Sequence, residues 1–85
     1  MYIVYVLYSH RCARRYIGQT DDLDQRLAQH NSSSQASEFS RDCPGPWVLI
    51  HFERFESQIE ASQREEWLKS EIGRAWIDEN VPIPI

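Results

Sequence analysis

Two short runs of β-branched and aromatic residues near the start of the chain constrain its fold most. Tyr2 to Tyr8 reads YIVYVLY, and a second, shorter run begins at Tyr16 after the polar stretch from Ser9 to Arg15. Such residues favour strands, and a polar connection between two of them favours a hairpin. We therefore expect strands one and two to pair, which brings Tyr5 close to Tyr16.

The segment from Gln19 to Asn31 is predicted to form the first helix, with Thr20 as its N-cap. Four of its residues recur at helical spacing on one stripe, namely Leu23, Arg26, Leu27 and His30. Two polar side chains thus share or border a leucine stripe that packs on the sheet. Either Arg26 snorkels or pairs with an acid and His30 merely ends the helix, or both belong to a functional site.

The rest of the chain predicts a long loop, a third strand and two more helices. Residues 31–46 have no usable periodicity and indicate a surface loop that covers a site or contacts a substrate. Trp47 to Phe55 is expected to be the central strand because its apolar stretch is denser than a one-faced strand needs. Ser57 to Glu60 reads as a capping box that starts a helix ending near Ser70. Gly73 is expected to break the chain before a short last helix, Arg74 to Glu79.

A charged residue occupies the apolar stripe of the predicted second helix. Ala61, Glu65, Leu68 and Ile72 fall on one stripe at helical spacing. An ionised carboxylate among apolar neighbours is costly unless it is paired or bound to a metal. Glu65 is therefore the partner of Arg26 in a buried ion pair, a metal ligand, or each of these in a different state. Its neighbour Glu66 points to a different face.

Length and charge limit what the chain can do. Its 85 residues suit one compact domain over 1–85 with a limited core. The net charge is −4, although phosphate-binding proteins usually gain affinity from cations. Residues 1–41 carry five basic and four acidic residues, whereas 42–85 carry four basic and nine acidic ones. We expect any nucleic-acid face to lie in the first half.

The cysteines and the apolar runs bear on the compartment. Cys12 and Cys43 lack the spacing of a zinc site, and we interpret both as free thiols. The apolar start has no basic leader or cleavage site, and no run approaches the roughly 20 apolar residues that span a bilayer. A cytoplasmic protein with no membrane partner is expected.

Three segments together resemble the GIY-YIG nuclease domain, and most of all its small stand-alone, single-domain members. They are Tyr2-Ile3-Val4-Tyr5-Val6-Leu7, then Tyr16-Ile17-Gly18-Gln19-Thr20, then Leu23 through Arg26 to His30-Asn31. The resemblance implies a small α/β domain, a three-stranded antiparallel sheet flanked by helices. Arg64-Glu65 matches the place of the family's metal-binding glutamate. One departure is Ile3, which stands at the glycine place of the first motif.

The resemblance also implies an activity and its residues. Tyr5, Tyr16, Arg26 and His30 correspond to the catalytic positions, and Glu65 corresponds to the ligand of Mg²⁺ or Mn²⁺. The implied activity is that of a metal-dependent endonuclease on DNA, including branched or repair-related substrates. Gly18 is interpreted as structural, although a substrate contact is the alternative.

A basic cluster in the predicted hairpin connection is the candidate nucleic-acid contact. It consists of Arg11, Arg14 and Arg15, with His10 beside them. The alternative is a solvated hairpin tip. With so few cations the chain is expected to bind DNA weakly by itself, and a protein partner is expected to supply affinity. The rival function is a non-catalytic nucleic-acid or protein interaction module on the same fold. A metabolic enzyme acting on a phosphate ester is compatible with the same residues.

Overall fold

The computed structural model describes residues 1–31 and 46–83, with only the backbone of residues 29–31. It contains three strands and three helices in this order: β1 (Tyr2–Ser9), β2 (Arg14–Thr20), α1 (Leu23–Asn31), β3 (Val48–Phe55), α2 (Gln58–Lys69) and α3 (Glu71–Asn80). The predicted α/β architecture is confirmed, with β2 longer than its apolar residues alone indicated. The predicted loop over residues 31–46 lies almost entirely outside the described residues.

The strands form one antiparallel sheet in the order β2-β1-β3. The prediction that Trp47 to Phe55 supplies the central strand is wrong, because β1 lies in the middle and β3 at an edge. Along β3 half-buried residues alternate with exposed ones such as Phe52, whereas β1 is buried from Val4 to Ser9. Only a strand paired on both sides and covered on both faces needs continuous burial.

The core has one cluster on each face of the sheet, because successive side chains of β1 point to opposite faces. Val4 and Val6 pack with the apolar residues of α2 and α3, which are Ala61, Leu68 and Ile77. Tyr5 and Leu7 pack with Trp47 and with Leu23 and Leu27 of α1. The leucine stripe of α1 therefore covers the face that carries Tyr5, as its spacing predicted.

Side-chain caps fix where the helices begin. The Asp22 carboxylate accepts a hydrogen bond from the Gln25 backbone N–H at 3.1 Å, and the Thr20 hydroxyl accepts one from the Asp22 N–H at 3.1 Å. Asp22 thus caps α1, and the prediction of Thr20 is wrong by two residues. The predicted cap of α2 is confirmed, since the Ser57 hydroxyl accepts from the Glu60 N–H at 3.2 Å.

The break between α2 and α3 falls at Ser70 rather than at the predicted Gly73. Ser70 ends α2, and its hydroxyl accepts from the Gly73 N–H at 3.2 Å to begin α3. A Cβ on Gly73 would lie 1.9 Å from the Trp67 carbonyl oxygen, so glycine lets the two helices meet closely. Ile72 consequently leaves the stripe of α2 and is 72% exposed.

Cys12 takes part in a disulfide, so the expectation of a free thiol is wrong for this residue. Two isolated cysteines leave pairing undecided in a sequence, since pairing depends on distances that only the fold supplies. Cys43 lies outside the described residues.

None of the helices in the described ranges combines the length and the apolar character that crossing a membrane requires.

Candidate active site

The hairpin places the two tyrosines of the sequence motifs side by side. Tyr5 pairs with Gly18 and Leu7 with Tyr16, so the two tyrosines are diagonal neighbours on one face. Their rings stack with centroids 6.2 Å apart and an interplanar angle of 29°. Tyr5 is only 1% exposed, whereas Tyr16 is half-buried. Tyr16 is therefore the more accessible phenol of the pair.

Gly18 supplies the space that the Tyr5 ring occupies. A Cβ at position 18 would lie 2.7 Å from the Tyr5 hydroxyl oxygen and 2.9 Å from its Cζ. It would also lie 3.1 Å from Cε1 of Tyr16. Gly18 is neither a turn nor a helix-entry residue, because it sits inside β2. The position of Gly18 within a strand could have indicated its role from the sequence, because glycine inside a strand marks close approach by another group.

The charges of Arg26 and Glu65 both affect the pKa of the Tyr5 hydroxyl. The pKa of Tyr5 is raised well above its ordinary value of 10.0, mainly by burial, and also by the charges of Tyr16 and Glu65. Arg26 lowers this pKa without offsetting the other effects. Tyr5 is thus a neutral phenol at ordinary pH, able to donate a proton in a hydrogen bond but unsuited to accept one as a base.

Glu65 makes its ion pair with a residue of its own helix. The Lys69 ammonium lies 2.6 Å from Oε2 of Glu65, one turn further along α2. The Glu65 side chain is 18% exposed, while Glu66 is exposed, so the two carboxylates do lie on different faces. Among the described residues, the alternative of a buried ion pair between Glu65 and Arg26 is not observed. Arg26 is instead exposed on α1.

A separate cluster fixes α2, and with it Glu65, against the sheet. Arg64 donates two hydrogen bonds to the Glu53 carboxylate of β3, at 2.9 and 3.1 Å. Its guanidinium also lies 4.5 Å from the ring centroid of Trp67 and 5.0 Å from that of Trp76. His51 contacts the same carboxylate at 2.7 Å. Sequence reasoning missed this cluster, although an arginine directly before the candidate metal ligand was its available signal.

The four other candidate residues are His30 and the three arginines of the basic cluster. His30 belongs to the last turn of α1, but its side chain lies outside what the structure describes. Arg11 is exposed in the connection between β1 and β2. Arg14 and Arg15 begin β2 and line cavities along that strand, and Arg15 also bonds Asp78 at 2.6 Å.

The donor set near Tyr5 limits what metal could bind. Within residues 1–31 and 46–83, no three His, Cys, Asp or Glu side chains converge on one point. Glu65 offers a single carboxylate whose present partner is a cation, so the position already favours positive charge. Mg²⁺ often binds through one or two carboxylates, several waters and a substrate phosphate. One carboxylate fits that mode of binding and does not fit a closed structural site.

Known proteins share both the sequence and the fold. A sequence profile of the GIY-YIG catalytic domain matches residues 1–77. A UPF0213 protein of the archaeon Natronomonas pharaonis is 38% identical over 69 residues, which are 79% of this chain and 75% of that protein. A UPF0213 protein of Clostridium perfringens is 39% identical over 54 residues, 64% of this chain. The chain spans 56% of the length of that second relative.

A solved structure gives the same result at the level of the fold. The solution NMR structure of a UPF0213 protein from Bacillus halodurans superposes with a TM-score of 0.55 and 28% sequence identity. The match covers 93% of this chain and 84% of that one. Together with the profile match and the paired tyrosines of β1 and β2, these similarities show that the chain belongs to the GIY-YIG family, among its small UPF0213 members.

Proposed function

We propose that the protein is a metal-dependent endonuclease that hydrolyses phosphodiester bonds in DNA, including branched or repair-related DNA. GIY-YIG domains are usually nucleases, but the names of the similar UPF0213 proteins specify no activity. The observation that carries the proposal is the stacked pair of Tyr5 and Tyr16, beside which Arg26 and Glu65 are near enough for their charges to change the pKa of Tyr5. Phosphoryl transfer needs such positioned donors and positive charge.

The accessible side chains of the site have the roles closest to the substrate. Arg26 is exposed and carries a permanent positive charge, so it stabilises the charge on the phosphoryl oxygens. Tyr16 is half-buried and donates from its hydroxyl to a phosphate oxygen or to the attacking water. His30 assists by accepting the proton of that water.

Tyr5 is buried, and its proposed role is to support the more accessible groups of the site. Burial and its raised pKa keep its hydroxyl protonated, so it orients its neighbours by hydrogen bonding rather than by removing a proton. In this proposal His30 rather than Tyr5 therefore accepts the proton of the attacking water. Its stacking on Tyr16 fixes the direction of the second phenol.

Glu65 is the proposed ligand of a divalent cation, Mg²⁺ or Mn²⁺. Such an ion supplies charge neutralisation at the scissile phosphate and at the leaving oxygen. Without the cation, the Glu65 carboxylate is paired with Lys69. The hydrogen bond from Arg64 to Glu53 holds its helix, α2, on the sheet. If Glu65 held the cation, Lys69 would give up this ion pair, and its ammonium would be available to a phosphate.

The partners follow from charge. DNA is the proposed substrate, bound weakly by the chain alone because its net charge is −4. A protein partner is proposed to supply further affinity, and the proposed location is the cytoplasm.

Substitution of the proposed metal ligand tests the activity. Glu65→Gln keeps the shape of the side chain but removes the charge that attracts Mg²⁺. We expect cleavage to fall at least about 100-fold, comparable with the largest effects of losing a group that supports a metal site. Flap, fork, branched and linear DNAs, each with and without Mg²⁺ or Mn²⁺, provide the assay.

The neighbouring carboxylate is the matched control. Glu66→Gln removes the same charge from an exposed position on the same helix, so cleavage and Mn²⁺ binding measured by electron paramagnetic resonance should stay nearly unchanged. Equal activity of both variants, in preparations free of contaminating nuclease, rules out Glu65 as the ligand. A wild type that cleaves none of these DNAs, yet binds a partner through this face, establishes the interaction module instead.

A further inference from the structure

We propose that a groove along the free edge of β2 binds the phosphodiester backbone of the nucleic-acid strand that leads into the active site. This inference rests on the proposed nuclease function and adds a binding surface to it. Two adjoining cavities of about 280 and 340 Å³ form the groove. Their lining residues are Ala13, Arg14, Arg15, Tyr16, Ile17, Lys69 and Arg74.

The groove concentrates positive charge on an acidic protein. Four of its lining residues are cations, while the chain as a whole has a net charge of −4. Among the described residues, no acidic side chain lines either cavity. Two carboxylates lie beside the groove, Glu65 paired with Lys69 and Asp78 paired with Arg15, so four positive charges face two negative ones. Such a local excess of cations attracts phosphates even when the whole molecule repels them.

Tertiary structure creates this excess from distant segments. Arg14 and Arg15 open β2, Lys69 is the last residue of α2, and Arg74 lies in the first turns of α3. Two of the four cations thus come from the acidic second half of the chain. The proposed surface thus extends beyond the first half of the chain, to which the sequence analysis assigned any nucleic-acid face.

The groove is continuous with the candidate active site through two residues. Tyr16 lines the groove and stacks on Tyr5, and Lys69 lines it and bonds Glu65 at 2.6 Å. A strand with its scissile phosphate beside Tyr16 and Glu65 therefore has its neighbouring phosphates over the cations. Tyr16 and Ile17 add apolar surface that suits a sugar or a base, which favours nucleic acid over an acidic peptide.

Asp78 competes with the proposed ligand for one of these cations. Its carboxylate accepts a hydrogen bond from Arg15 at 2.6 Å, and its side chain is 63% exposed. An exposed pair of this kind contributes little to stability and is screened by salt. A phosphate can replace the carboxylate, so removal of Asp78 should release Arg15 and strengthen binding.

The test measures binding without catalysis. Wild-type protein in EDTA is titrated against a fluorescein-labelled single-stranded oligonucleotide, and against its duplex, by fluorescence anisotropy at several salt concentrations. Arg74→Gln should weaken binding several-fold and reduce the salt slope by about 0.7 to 0.9, the contribution of one phosphate contact. Asp78→Asn should tighten binding.

Arg54→Gln is the matched control. It removes one positive charge from an exposed position on β3, the opposite edge of the sheet, and should leave the salt slope unchanged. Equal effects of Arg74→Gln and Arg54→Gln would overturn the proposal, as would poly-glutamate competing as well as the oligonucleotide at equal charge. Because metal is absent, these outcomes are separate from whether the protein cleaves DNA.

Discussion

Tyr5 and Tyr16 share one face of the hairpin, and the shape of that face depends on a residue without a side chain. Gly18 lies directly opposite Tyr5, and the Tyr5 hydroxyl oxygen occupies the space that a Cβ would need. If the Tyr5 side chain were free to move, it would shift and make room for that Cβ. Tyr5 is only 1% exposed and stacks on Tyr16, so it has little freedom to move away.

Gly18→Ala should therefore destabilise the protein by about 1 to 3 kcal/mol, as overpacking of a core does. Urea unfolding followed by tryptophan fluorescence measures this change. In a Tyr5→Phe background the 2.7 Å contact disappears, so the same substitution should cost less. An equal cost in both backgrounds would show that the Tyr5 hydroxyl is not the group that Gly18 accommodates.

At the scale of elements, the attachment of α2 to β3 holds Glu65 in position. Arg64 is bonded twice to Glu53 and lies over two indole rings, so a single residue connects a strand with both C-terminal helices. Partial burial raises the pKa of Glu53, but the hydrogen bonds from Arg64 and His51 outweigh it, and the net pKa lies below its ordinary value of 4.5.

This depressed pKa predicts how stability depends on pH. A carboxylate with a lower pKa in the folded state stabilises the fold above its unfolded pKa, and the stabilisation is lost as pH falls through the folded pKa. Glu53→Gln should lower the free energy of unfolding by about 1 to 2 kcal/mol at pH 7. This value is reduced for solvent screening, because the cluster is only half-buried. The difference from wild type should shrink below about pH 4.5.

Urea unfolding at neutral and acidic pH, monitored by fluorescence of Trp67 and Trp76, checks this prediction. Glu60→Gln is the control, because Glu60 is exposed at the start of the same helix. A cost for Glu53→Gln that stays constant down to pH 3 would mean that the Glu53 charge does not contribute to stability.

At the scale of the whole molecule, opposite edges of the sheet differ in charge. The β2 edge gathers four cations, whereas the β3 edge carries one exposed arginine, Arg54, and the Glu53 carboxylate that is paired with Arg64. The acidic protein as a whole therefore repels a polyanion, whereas its β2 edge attracts one. Orientation on DNA then follows from the distribution of charge rather than from its sum.

The salt dependence of DNA binding should indicate how many phosphates contact the groove. If the four groove cations supply the phosphate contacts, the logarithm of the binding constant for duplex DNA should fall with the logarithm of salt concentration with a slope of about −3 to −4. Anisotropy titrations between low and physiological salt measure the slope. A slope near zero would exclude a backbone-binding groove of this size.

The element types, the pairing of the first two strands and the exposure of Glu66 could be predicted from the sequence, because they depend on local preference and on periodicity. It also named the family through an ordered set of motifs. The packing of the chain was needed to show which strand is central, where α3 begins, and that Lys69 rather than Arg26 pairs with Glu65. The groove and the space at Gly18 likewise depend on distances between segments far apart in the chain. Local preference acts over a few neighbouring residues, whereas contacts of this kind are set by how the helices pack on the sheet.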